Sequence, residues 1–206
     1  MDIERSEEAR FGRELVALSR QAVECHHLMS GNPTPPDEKF IRDWIALKLY
    51  TSQRRQAMME VKPGEFWNWV AKAPRQTVGG FGRVDLIIFG KDEDNAEMAS
   101  AIIELKRDAN PRNLANIKKD ITRTARLLSH CKHSIAGYQL VCIVVGNEAI
   151  RKRLTEGLRG VVHRFGVTCG QTESEEFEMQ DGKSKAWCCI HAIPVRAAAL
   201  NQVTGT

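Results

Sequence analysis

Two apolar runs that each carry charge constrain this chain more than any other feature. Residues 82–89 read Gly-Arg-Val-Asp-Leu-Ile-Ile-Phe and residues 101–106 read Ala-Ile-Ile-Glu-Leu-Lys. Their β-branched and aromatic content predicts strands over 84–89 and 100–105. The polar stretch 91–95 between them is turn-like, so the pair reads as a β-hairpin with a long loop. Side chains alternate along a strand. Glu104 and Lys106 therefore share one face, while Ile103 and Leu105 point into the core. In a suitable register Asp85 comes alongside Glu104. Two carboxylates and one ammonium then converge at the edge of an apolar sheet.

Such a group is costly. Carboxylates brought together and partly dehydrated repel one another and persist where a cation compensates them. Mg²⁺ is suited to the task, because it takes oxygen ligands, often one or two carboxylates, and keeps several waters. A lysine two residues from a ligand can steer or deprotonate a water and offset charge growing on a phosphoryl group. The simpler account is a salt-bridged sheet edge in which Asp85 or Glu104 pairs with Lys106. Three charges in this order and spacing favour a site.

Asp85, a gap spanning a hairpin, and then Glu104-Leu105-Lys106 resembles the D…(D/E)xK signature of the restriction-endonuclease-like (PD-(D/E)XK) nuclease superfamily. Val84 stands where the nominal pattern has proline. The resemblance covers residues 37–145 and implies an αβββαβ core. It also implies that Asp85, Glu104 and the backbone carbonyl of Leu105 bind Mg²⁺, with Mn²⁺ able to substitute, and that Lys106 orients or activates the attacking water. An accessory glutamate is expected, and both Glu38 and Glu60 match. The implied activity is phosphodiester hydrolysis by an endonuclease acting on DNA, with restriction, defence or repair as the setting. A homodimer or a defence or repair partner protein is compatible with it. A catalytically silent nucleic-acid-binding or assembly module on the same fold is the alternative.

The remaining chain fits a single α/β domain, a mixed central sheet flanked by helices. Its 206 residues suit one core. A charged fraction of 27% and a net charge of +4 are ordinary for a soluble protein and permit a polyanionic partner without demanding one. No apolar run approaches a membrane span, and the first residues are charged with no apolar signal segment, so a cytoplasmic location is expected. Of the six cysteines, Cys142 and Cys189 lie in apolar runs and read as core residues. His130, Cys131 and His133 form the one cluster that hints at zinc, without a second half.

In chain order, an N-terminal helical extension over 1–30 holds a helix at 3–29 that serves as a cap or a dimerisation element. The nuclease core over 37–145 opens with a helix at 37–53, where Asp37 and Glu38 suit the positive helix start. A strand at 54–61 and an aromatic insert around Phe66, Trp67 and Trp69 follow. Gly79, Gly80 and Gly82 then allow close approach to Asp85. A helix at 112–129 repeats Leu114, Ile117, Ile121, Ala125 and Leu128, with Lys119 and Arg123 as candidate phosphate contacts. The run 139–145 predicts a strand buried on both faces. Residues 146–195 add a helix at 148–165, with Arg151 among the charges on its polar side, and a last strand at 186–195. Residues 196–206 form a small polar tail expected to fray.

Overall fold

The structure, a computed structural model, describes residues 2–31, 36–53, 55–62, 83–91, 97–131, 135–165, 168–181 and 184–197. The aromatic insert at 66–69, the glycines at 79–82, the hairpin loop at 92–96, His133 and most of the tail lie outside them.

The described elements are α1 (Asp2–Ser30), α2 (Glu38–Gln53), β1 (Ala57–Val61), β2 (Val84–Lys91), β3 (Glu97–Lys106), α3 (Pro111–Ser129), β4 (Ala136–Val145), α4 (Glu148–Arg164), β5 (Glu173–Asp181) and β6 (Ser184–Val195). The strands form one six-stranded sheet in the order β1-β2-β3-β4-β6-β5. Every neighbouring pair is antiparallel except β3 and β4. The fold is thus mixed α/β, a central sheet flanked by four helices. The parallel pair follows from connectivity, because α3 carries the chain from the end of β3 back to the start of β4.

Alternation along the strands divides the core. Leu86, Ile103, Leu105, Tyr138 and Leu140 pack with Leu15, Ile41 and Ile45 of α1 and α2. On the opposite face Val141, Ile143 and Ile193 meet Ile117, Ile121 and Leu158 of α3 and α4. Burying each such aliphatic side chain stabilises the fold by about 1.5–3 kcal/mol. Helix starts are capped as their sequences require. Phe40 N–H donates to Asp37 Oδ1 at 2.6 Å, and Asn110 Oδ1 accepts from Asn113 N–H at 2.9 Å ahead of Pro111.

Two expectations are corrected and one strand was not foreseen: residues 173–181 form an edge strand, β5, that their glutamates obscured in the sequence. Helix α1 supplies Leu15, Val16 and Ala22 to the central core and so is an integral layer. Arg151 is not on a solvated face: it is only 6% exposed and its guanidinium lies 2.5 Å from Glu176. Cys142 and Cys189 are buried as expected, and no described helix is long and apolar enough to cross a membrane.

Candidate functional site

The hairpin places its charges as its alternation requires, but in a more enclosed setting than a sheet edge. The β2–β3 ladder includes Leu86 opposite Ile103, so the next step sets Asp85 opposite Glu104. On the other side Glu104 pairs with Gln139 of β4. Asp85, Glu104 and Gln139 form a polar row across three strands, and α3 covers it. Because helices cover both faces of the sheet, Glu104 is only 1% exposed.

Beyond the ladder, backbone and side chains satisfy one another. Leu105 N–H donates to Asp85 Oδ2 at 2.8 Å, and Lys106 Nζ donates to the Leu105 carbonyl at 2.9 Å. The same ammonium lies 3.3 Å from Asp120 Oδ2 and 3.7 Å from Glu38 Oε2. Glu38 Oε1 accepts the Arg107 N–H at 3.3 Å. Arg123 Nη2 stands 2.5 Å from Glu104 Oε1 and 3.2 Å from Asp120 Oδ1. Gln139 Nε2 donates to the Glu104 carbonyl at 3.2 Å, leaving its own Oε1 buried without a partner.

Four carboxylates (Glu38, Asp85, Glu104 and Asp120) therefore face two cations, a surplus of two negative charges when all are ionised. Burial pushes the Glu104 carboxyl up to about 8; Arg123 opposes this, and Asp85 and Asp120 push further. Burial alone would lower Lys106, but Asp120, then Glu38 and Asp85, outweigh it and hold the amine above its ordinary value. Lys106 is thus an ammonium at neutral pH and not a free base.

Asp85, Glu104 and the Leu105 carbonyl offer only oxygen donors, the chemistry a hard divalent cation takes, and Glu104 Oε1 accepts no well-aligned hydrogen bond although Arg123 lies beside it. Among the described residues no three His, Cys, Asp or Glu side chains converge as a ready cage. Two carboxylates and a carbonyl are the sparse set that Mg²⁺ completes with waters.

Asp85, Glu104, the Leu105 carbonyl, Lys106 and Glu38 are brought together. Glu60 is not. It sits on β1 with φ of 53° and pairs through Oε1 with Arg42 at 2.7 Å and through Oε2 with Arg83 at 3.1 Å. Those arginines hold its carboxyl below the usual range, Arg42 most strongly. Arg123 turns inward to the carboxylates, whereas Lys119 stays exposed. Asp120 and Gln139 were missed in the sequence. Asp120 carried a signal, because it falls beside Ile117, Ile121 and Thr124 on the apolar stripe of α3. No family model matches the chain, and no curated protein or solved structure matches it significantly.

Proposed function

We propose that this protein is a divalent-metal-dependent nuclease of the restriction-endonuclease-like type that hydrolyses phosphodiester bonds, with DNA as substrate. The observation that carries the reading is the gathering of Asp85, Glu104 and Lys106 at the end of β3 amid a surplus of negative charge.

Asp85, Glu104 and the Leu105 carbonyl would hold Mg²⁺ or Mn²⁺, which when bound supplies Lewis-acid polarisation of the phosphoryl group and of the attacking water. Lys106 contributes fixed positive charge where the phosphoryl oxygens gain negative charge. The carboxylates around it hold the amine above its ordinary value, which favours an electrostatic and orienting role toward the attacking water. Glu38, within ion-pair distance of that ammonium, is the accessory acid.

Incubation of the purified protein with plasmid, single-stranded DNA and RNA, in Mg²⁺ or in EDTA, tests the reading. Cleavage of DNA should require the cation. Asp85→Ala and Lys106→Ala should each lower it by more than about 100-fold. Cutting at the wild-type rate by either variant would overturn the assignment. Nucleic-acid binding that survives EDTA without cleavage would instead point to a catalytically silent module.

A further inference from the structure

We propose that Asp120 is the positioning residue for the Lys106 ammonium, acting from α3 while Glu38 acts from α2. The inference rests on the nuclease reading for its catalytic consequence, though not for its geometry. Asp120 is 9% exposed and lies among the buried residues Ile117, Ile121, Thr124 and Ala125 of α3. A carboxylate there is disfavoured unless cations compensate it. Both of its oxygens are near one: Oδ2 is 3.3 Å from Lys106 and Oδ1 is 3.2 Å from Arg123.

The geometry around Lys106 separates positioning from simple pairing. A flexible four-carbon stem leaves an ammonium many places to go. Here its Nζ is held by oxygens from three elements: the Leu105 carbonyl on β3, Glu38 on α2 and Asp120 on α3. The two helices lie on opposite faces of the sheet, so their carboxylates restrain the ammonium from both sides. Asp120 is the more buried of the two, its side chain 12% exposed against 40% for Glu38. Its attraction is therefore the less screened by solvent. Arg123, bound to both Asp120 and Glu104, fixes Asp120 in turn.

Asp120→Asn keeps the shape and removes the charge. In single-turnover cleavage of plasmid DNA at saturating Mg²⁺ it should cost about 10- to 100-fold. The Kd for DNA should stay at the wild-type value. Asp120→Glu should recover part of the rate. In a Lys106→Met background Asp120→Asn should cost less than about twofold, because the group it positions is gone. Equal losses in both backgrounds, or a loss confined to DNA binding, would overturn the proposal.

A second measurement needs no activity. Acetylation of Lys106 by an N-hydroxysuccinimide ester, followed by mass spectrometry, should be faster in Asp120→Asn than in wild type. If wild-type protein cuts no nucleic acid, the nuclease reading falls and the labelling alone decides. Unchanged labelling of Lys106 would then sink the positioning role, and faster labelling would sustain it.

Discussion

Glu38 and Glu60 look alike in the sequence, each an acid ahead of the hairpin, and the fold gives them different partners. Glu38 opens α2, whose capped start lies against the end of β3, and it reaches Lys106 and Arg107. Glu60 serves Arg42, an arginine only 7% exposed. Glu38→Gln should therefore lower Mg²⁺-dependent cleavage by about tenfold, whereas Glu60→Gln should leave it within about twofold. Single-turnover rates check both. Arg123→Met should be costly in another way, because it leaves the buried Glu104 carboxyl without its nearest donor and takes one of two cations from Asp120. A loss of about 1–3 kcal/mol in urea denaturation is expected. Asp85, Glu104 and Lys106 were legible because a charge inside an apolar strand is anomalous on its face. Asp120 was not singled out, because a charge on a helix is usually solvated and α3 carries many.

At the level of elements, the close approach of α3 to β4 depends on one missing side chain. A Cβ on Gly137 would stand 2.7 Å from Leu128 Cδ1 and 2.8 Å from the Val195 carbonyl. Gly137→Val should destabilise the fold by about 1–3 kcal/mol in urea denaturation, by forcing α3 and β6 away from β4. Strands dominated by apolar residues were read correctly. The apolar run of β4 is buried almost throughout, and the β2–β3 hairpin pairs as its alternation demands. β5 escaped detection because glutamates occupy both of its faces: Glu173 and Glu175 turn partly inward, Glu176 and Glu178 outward. Inward charge is compensated by α1, where Arg13 lies 3.5 Å from Glu173 and Arg20 pairs with Glu175. That partnership joins positions far apart in the chain, beyond the reach of local periodicity. A charged edge strand also resists pairing with another chain.

For the whole molecule, two buried titrating groups give stability opposite slopes in pH. Burial pulls His191 down to about 4, with Arg159 adding to it. The unfolded chain then binds the extra proton between about pH 4 and 6.5, and stability rises with pH across that window. Glu104, pushed up to about 8, holds its proton in the folded state while the unfolded chain has released it. Its contribution falls as pH rises from about 4.5 to about 8. The two oppose each other below about pH 6.5, and above it Glu104 acts alone. Between pH 6.5 and 8, in EDTA, the fold should lose up to about 2 kcal/mol, read as a fall in Tm. Glu104→Gln should flatten that decline. Mg²⁺ should raise the wild-type Tm at pH 8 and leave that of Glu104→Gln nearly unmoved.

The single parallel pair in the sheet also sets an order in time. The antiparallel partnership of β2 with β3 closes across a short span of chain and can form early. β3 and β4 cannot meet until α3 has crossed back over the sheet, a slower closure with more chain to order. Glu104, Gln139, Asp120 and Arg123 all straddle that crossover. Their assembly therefore waits on that crossover and follows the β2–β3 pairing. Pulse-labelling hydrogen exchange during refolding should find the β2–β3 amides protected before those of β4. Protection of Lys106 from acylation should arrive with the later group. A nascent chain would thus set Asp85 beside Glu104 in the hairpin first, and bring Asp120, Arg123 and Gln139 to them only once α3 had crossed the sheet.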